Sequence, residues 1–460
     1  MQQDLILDDG LIAKYDQSGP RYTSYPTAVQ FHEGFGNADY ERIARQSNES
    51  GRPLSLYFHI PFCDTICFYC ACNKVATKDR GRGNEYLTRL HREIALQGEL
   101  FDSSRPVTQL HWGGGTPTFL SHEEMRQLME VTGEHFQLLP DDQGEYSIEI
   151  DPREATGETV ALLREIGFNR MSLGVQDFDP RVQRAVNRIQ SEAETLAVLN
   201  AARAEGFRSV SIDLIYGLPL QTRESFERTL ERIIEVNPDR LSVFNYAHLP
   251  QIFKPQRRIN AEELPPAEVK LEILHMTARK LADAGYVYIG MDHFARPDDE
   301  LAIAQREGTL YRNFQGYSTH ADCDLVGMGI TSIGMVGNCY AQNLKDLEHY
   351  YRRIDAGELA VFRGLELTRE DQLRRDVITR LICNFYLDFS EVGRLWGIDF
   401  ADHFLSELQR LEEMERDGLL AMDGRGIRVL PVGRMLIRNI CMVFDAYLKE
   451  AAGQRFSRVI

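Results

Sequence analysis

From residue 54 to residue 245 the chain repeats one pattern: a short apolar run, a polar turn, then an amphipathic helical stretch. The runs are LSLYFHI (54–60), VTQLHW (107–112), YSIEI (146–150), RMSLGV (170–175), SVSIDLIYG (209–217) and RLSVFNY (240–246). Helical periodicity fills about 84–100, 121–136, 158–167, 192–206 and 223–236. Strands that alternate with helices build βαβ units, and therefore a parallel α/β sheet. Six such strands fit an open doubly wound sheet or a partial barrel, and periodicity does not separate the two. In either fold, ligand chemistry gathers at the C-terminal ends of the strands. A cysteine-rich loop follows the first run and GGGT follows the second, while Glu149, Gln176 and Asp213 lie at or near later strand ends. All of them face one rim.

The cysteine loop reads HIPFCDTICFYCACNK, with Cys63, Cys67 and Cys70 in C-x3-C-x2-C spacing. Three thiolates this close can hold an iron–sulfur cluster and leave one iron of a cubane without a protein ligand. An open position on a metal is a reactive one. A structural zinc site would need a fourth ligand, for which Cys72 is the nearest candidate. No second C-x2-4-C pair exists, because Cys323, Cys339, Cys383 and Cys441 stand singly. A disulfide framework fits neither this spacing nor an N-terminus without the basic and apolar blocks of a secretory signal. Cytoplasm is therefore the expected compartment.

Three glycines in HWGGGTPTFL (111–120) allow a ligand to press against the main chain, or simply make a tight turn. The run lacks the G-K-[ST] ending of a P-loop. Glu149 sits in an apolar strand, where a carboxylate needs a partner: a ligand, or a salt bridge to Arg153 or Arg170. Gln176 and Asp177 end the next strand, and Arg188 follows in VNR. Asp213 lies inside SIDLIYGLP, where the hydroxyls of a ribose and a core arginine are equally good partners.

The remainder is less constrained. With 43% hydrophobic and 26% charged residues the chain has an ordinary globular composition, and no apolar run approaches the ~20 residues of a membrane span. A net charge of −17 argues against nonspecific nucleic-acid binding. The basic runs KPQRR (254–258) and LRRDV (373–377) read as solvated faces. Beyond about residue 365 helical patterns cover 369–386 and 402–416. Two short strands around D-G-R-G and a helix then follow, an arrangement similar to a winged helix that the acidic balance makes a packing or lid domain. The division expected is an N-terminal arm (1–50), a catalytic domain (51–365) and a mainly helical C-terminal domain (366–460).

The cysteine spacing, with an aromatic residue before the third cysteine, resembles that of the radical S-adenosylmethionine (SAM) superfamily. That resemblance implies a partial (β/α)6 barrel. SGPRYTSYPTA, YFHIPFCDTICFYCACNK, LHWGGGTPT, SIEIDPRE, GVQDF, IDLIYGLP, LSVFNYAHLP, GMDHFARPDDELA, NFQGY, LICNF and the closing RFSRVI are similar, in order, to the oxygen-independent coproporphyrinogen III dehydrogenase family. The resemblance implies one [4Fe–4S] cluster on Cys63, Cys67 and Cys70, with Cys72 close by but not a ligand. Tyr57 joins the three cysteines in the catalytic set. Two SAM molecules are implied: one contacted by Tyr57, Gly114, Glu149 and Ile333, the other by Tyr69, Gly115, Thr116, Gln176, Arg188, Asp213 and Ala247. Where many relatives carry Phe before the third cysteine, this chain reads Phe68-Tyr69, and GGGTP replaces the general GGE-like loop. The implied reaction converts two propionates of coproporphyrinogen III, on rings A and B, to vinyl groups. It needs a flavodoxin- or ferredoxin-like electron donor and an electron acceptor, with no nucleic acid and no membrane span. Composition gives no reason to expect more than a monomer. The four carboxylates of that substrate call for arginines. The arm around Arg21, Tyr22 and Tyr25 is expected to close over it. A heme chaperone of the same superfamily branch is the alternative.

Overall fold

A computed structural model describes residues 5–448. RFSRVI lies outside these described residues. The chain forms two compact units, one of residues 31–274 and 322–366, the other of residues 5–30, 275–321 and 367–448.

The first unit is a sheet with helices. Its strands are β1 (Leu54–Ile60), β2 (Pro106–Gly114), β3 (Glu145–Ile150), β4 (Arg170–Gln176), β5 (Ser209–Tyr216), β6 (Arg240–Asn245), β7 (Asp324–Met328), β8 (Ile333–Val336), β9 (Cys339–Asn343) and β10 (Val361–Glu366). Their order is β6-β5-β4-β3-β2-β1-β7-β8-β9-β10, an open path rather than a closed barrel. Neighbours from β6 through β1 to β7 run parallel, and the last three pairings are antiparallel. Every residue of β1 except Tyr57 is buried, as befits a central parallel strand covered on both faces. The half-buried exception, Tyr57, pairs in register with His111 on one side and Gly327 on the other.

Local sequence sets the helix starts. Ser121 accepts from the Glu124 N–H while the Glu124 carboxylate accepts from the Ser121 N–H, and Ser191 and Glu194 repeat this capping box. The resulting helices, His122–His135 and Glu192–Ala204, return the chain to the start of the next strand. The six strands expected from the sequence appear within two residues of their expected limits. Strands β7 to β10 were not anticipated. They are four to six residues long, and Gly327, Gly334 and Gly364 interrupt three of them, so neither length nor alternation marks them.

One buried ion pair fixes the lower edge of this sheet. Arg105 Nη2 meets Asp324 Oδ2 at 2.5 Å, its Nε donates to Arg52 O at 2.6 Å, and its Nη1 donates to Ser47 Oγ at 2.9 Å. Asp324 Oδ1 accepts in turn from the Gly337 N–H. Both side chains are almost fully buried, so Arg105→Met strands a carboxylate away from water. The expected loss is about 3–5 kcal/mol of stability, read from the urea midpoint at unchanged slope.

The second unit gathers the arm and the C-terminal region. The helix Asp9–Tyr15 is tied down by Lys14 and Tyr15, both bonded to Asp417. Tyr22 and Tyr25 are buried: Tyr22 Oη donates to Asp445 at 2.9 Å and Tyr25 Oη accepts from the Ala446 N–H at 3.1 Å. The D-G-R-G strands are Leu420–Met422 and Gly426–Val429, and Tyr386–Asp388 completes a three-stranded antiparallel sheet with helices around it. Among the described residues no helix is long and apolar enough to cross a membrane.

Candidate functional site

The cysteine loop leaves β1 and returns to it. A short parallel bridge pairs Phe62–Cys63 with Val75–Ala76, with Val75 N–H donating to Pro61 O and Thr77 N–H to Cys63 O. The loop between them is pinned elsewhere: Phe68 N–H donates to Val186 O at 2.9 Å, Asn187 Nδ2 to Ile66 O at 2.8 Å, and Gln256 Nε2 to Tyr69 O at 3.0 Å. Phe68 and Tyr69 pack on an apolar cluster of Val182, Val186, Leu218, Tyr246 and Ile259, just before Ala247, which is exposed. KPQRR, expected as a solvated face, is the 3-10 turn that carries Gln256, and its Arg258 guanidinium lies 5.3 Å over the Phe68 ring.

The glycine turn docks on this loop. Gly115 N–H donates to Ile60 O and Thr116 N–H to Phe62 O, both at 2.8 Å. A Cβ on Gly115 would lie 2.7 Å from Pro61 and Phe62 backbone atoms, so only glycine permits this approach. Gly114 adopts a φ of +118°, and a Cβ there would strike the His59 ring. Gly114 N–H donates to Glu149 Oε2 at 3.1 Å. Glu149 has neither of the arginine partners considered from the sequence, since Arg153 pairs with Asp151 and Arg170 with Glu145. Its neighbour is His111, Nε2 to Oε1 at 3.5 Å, whose ring stacks on Tyr57 at 5.8 Å. The protein packed around the Glu149 carboxylate disfavours its charged form, but the His111 bond and charge and the Gly114 N–H outweigh this and hold the acid below its usual range. Its side chain is 48% exposed and open to a ligand. Ile333 begins β8, with its backbone against Gly327, the register partner of Tyr57.

Cys67 is the focus of charge. Arg153 Nη2 and Arg188 Nη1 approach its sulfur at 3.7 and 3.6 Å. Asp151 holds both guanidiniums, at 2.6 and 2.9 Å. Thr116 Oγ1 donates to Cys63 Sγ at 3.6 Å, and Cys72 N–H donates to Cys70 Sγ at 3.4 Å. Burial pushes the Cys63 thiol up to about 11, whereas hydrogen bonds from Cys72 favour the Cys70 thiolate. Among the described residues no three side chains converge on a single metal ion. A cubane asks for something different, one thiolate on each of three irons. Three thiols on one closed loop, with guanidinium and hydroxyl donors aimed at their sulfurs, match that donor set.

Arg188 also donates from Nη2 to Gly174 O at 2.5 Å, while its buried Nε has no partner. Gln176 flanks it at the end of β4 with a φ of +67°, strained for a residue with a side chain. A Cβ on Gly174 would meet both Gln176 Nε2 and Arg188 Nη2. Asp213 pairs in register with Gly174 and accepts from Ser172 Oγ at 2.9 Å, so a serine stands where a core arginine was considered. Asp177, by contrast, is spent on structure, accepting from Gln221 and Thr229. Sequence reasoning missed His111, Asp151 and Gln256, and the salt bridge it weighed as the alternative for Glu149 is not made. The LHW and DPR triplets, each at a strand end, are the signals for His111 and Asp151, whereas Gln256 lies in KPQRR with no such signal.

Burial drives the Asp213 acid up to about 6, ahead of repulsion from Glu149. Its folded pKa thus lies above that of the unfolded chain, near 4, and folding loses stability as pH rises from there through about 6. Asp213→Asn is expected to stabilise the protein by about 1–2 kcal/mol above pH 6 and not at all below pH 4, as melting across that range checks.

A strand-end rim with a three-thiol loop and an open carboxylate defines the radical SAM class. The Radical SAM superfamily profile matches residues 57–233, and the HemN C-terminal domain profile matches 367–436. The oxygen-independent coproporphyrinogen III oxidase of Pseudomonas aeruginosa is 57% identical over 453 residues, 98% of either chain. That of Escherichia coli K12 is 54% identical over 459 residues, 100% of this chain and 99% of the other. A solved structure of coproporphyrinogen III oxidase from Escherichia coli, described as a radical SAM enzyme, superposes with a TM-score of 0.92 at 52% identity, covering 97% of this chain and 100% of that one. The chain belongs to the oxygen-independent coproporphyrinogen III oxidase family.

Proposed function

We propose that this chain performs the oxidative decarboxylation of coproporphyrinogen III without oxygen, giving protoporphyrinogen IX for heme synthesis. The observation that carries this reading is the closed three-thiol loop, pinned to the GGGT turn at the strand-end rim. Cys63, Cys67 and Cys70 would hold one [4Fe–4S] cluster. When bound, the cluster and SAM supply a 5′-deoxyadenosyl radical by one-electron cleavage of the sulfonium. The propionates on rings A and B each lose a hydrogen atom from the β-carbon and carbon dioxide, and pass one electron to an acceptor, leaving a vinyl group.

The residues divide the work. Tyr57, Gly114, Glu149 and Ile333 would hold a first SAM, where the Glu149 carboxylate suits its amino group. Tyr69, Gly115, Thr116, Gln176, Arg188, Asp213 and Ala247 would hold a second SAM. The Asp213 carboxyl and its serine partner suit ribose hydroxyls. Hydrogen-atom abstraction needs no general base, and Asp151 keeps both arginines on Cys67 rather than on substrate. A flavodoxin- or ferredoxin-like protein would supply the electron, and a monomer in the cytoplasm is the working form.

Anaerobic incubation of reconstituted protein with SAM, a reductant, an electron acceptor and coproporphyrinogen III tests this. Protoporphyrinogen IX and 5′-deoxyadenosine should both accumulate. Tight heme binding with no decarboxylation would replace the reading with the heme chaperone.

A further inference from the structure

Arg312 sits in a short hairpin, Tyr311–Asn313 paired with Gly316–Ser318, in register with Tyr317. Its guanidinium lies 4.7 Å over the Tyr317 ring and the residue is only 8% exposed. Two of its nitrogens, Nε and Nη1, have no hydrogen-bond partner. The Tyr317 ring meets His293 edge-on at 5.2 Å, and the adjacent Asp292 pairs with Arg21 of the arm at 2.7 Å. Arg438, 2% exposed, reaches the same stretch of arm, donating from Nε to Pro20 O at 3.0 Å and from Nη2 to Gly19 O. These residues all belong to the second compact unit.

The charges do not balance. Arg21, Arg312 and Arg438 share Asp292, the carboxylate that Arg21 engages, while Asp445 is occupied elsewhere, accepting from Tyr22 Oη and the Tyr447 N–H. Burial, then repulsion from Arg21, lowers Arg438 to about 10, with Arg312 adding to the repulsion and Asp292 opposing it. A guanidinium does not lose its proton in a protein, so a buried one with empty donors calls for an anion. Arginine's planar fork favours a carboxylate, which offers two acceptor oxygens.

We propose that Arg312, Arg438 and Arg21 form an anion site that takes a propionate carboxylate of the tetrapyrrole, an assignment resting on the substrate class proposed above. The arm contributes Arg21, and its Gly19 and Pro20 carbonyls hold the Arg438 guanidinium in place. Tyr22 and Tyr25 hold the arm in place and leave the substrate to the arginines.

Fluorescence titration with coproporphyrin III, the stable oxidised form of the macrocycle, tests the assignment on reconstituted full-length protein. Arg312→Gln should weaken binding at least tenfold, Arg312→Lys less, and Asp292→Asn should tighten it by removing a competing carboxylate. The tetramethyl ester of coproporphyrin, without charge, should bind wild type and R312Q alike. Inorganic phosphate should compete for wild type and not for R312Q. Equal coproporphyrin affinity in wild type and R312Q, or phosphate binding at Arg312 with no effect on coproporphyrin, would overturn the carboxylate site. In both of those cases the decarboxylase reading stands, because turnover reports it separately. Wild-type protein that ignores coproporphyrin III would overturn the carboxylate site as well, and only absent turnover of coproporphyrinogen III would overturn the decarboxylase reading. If R312Q does not fold, D292N carries the test, and unchanged affinity there refutes the proposal.

Discussion

Cys67→Ala should leave a colourless protein with cluster iron and sulfide near background, and porphyrinogen turnover below detection. Cys67 is the buried member of the thiol set, and its sulfur is the one approached by two guanidiniums. Removing that thiolate leaves Arg153 and Arg188 facing a void and only two ligands on the loop. Two thiolates cannot hold a cubane that needs three. The loop itself should survive, since its anchors are backbone bonds at Phe62–Cys63 and Val75–Ala76. Cys72→Ala is the contrast: Cys72 is exposed, its N–H donates to Cys70 Sγ, and the proposed donor set does not include it. It should keep iron, sulfide and most activity. Iron and sulfide analysis of the two variants side by side checks both statements, and equal loss would return Cys72 to the ligand set.

Arg188→Met should have the next largest effect. This guanidinium binds Asp151, the Gly174 carbonyl and Cys67 at once, and is 6% exposed. Its loss leaves Asp151 to Arg153 alone, so the stability cost should sit near the lower end of the range for a broken buried pair, about 3 kcal/mol. The larger consequence concerns SAM. Equilibrium dialysis should find the second SAM weakened about a hundredfold, equivalent to about 2.7 kcal/mol, and the first little changed. Equal weakening of both would mean that Arg188 acts through the cluster loop rather than at a second SAM site.

Much of the catalytic unit was legible in the sequence because its strands are of an informative kind. A parallel strand buried on both faces reads as a continuous apolar run, and LSLYFHI is one. The serine-to-glutamate capping pairs at Ser121 and Ser191 then mark where helices begin. Strands β7 to β10 lack both signals. Partners were harder to read than positions. Glu149 and Asp213 stand at the rim as expected, but which basic group meets which acid depends on strand register. Arg153 folds back onto Asp151 in the 3-10 turn after β3, which leaves Glu149 to His111 of the neighbouring strand. The role of the arm's tyrosines was illegible for the same reason: Asp445 and Ala446 lie more than 400 residues away in the chain.

The most direct measurement follows one hydrogen atom. Coproporphyrinogen III carrying deuterium at the propionate β-carbons is incubated anaerobically with reconstituted protein, SAM, a reductant and an electron acceptor, and the nucleoside product is weighed by mass spectrometry. The account predicts deuterium in 5′-deoxyadenosine, appearing in step with the vinyl groups. 5′-Deoxyadenosine that stays unlabelled while vinyl groups form would contradict it.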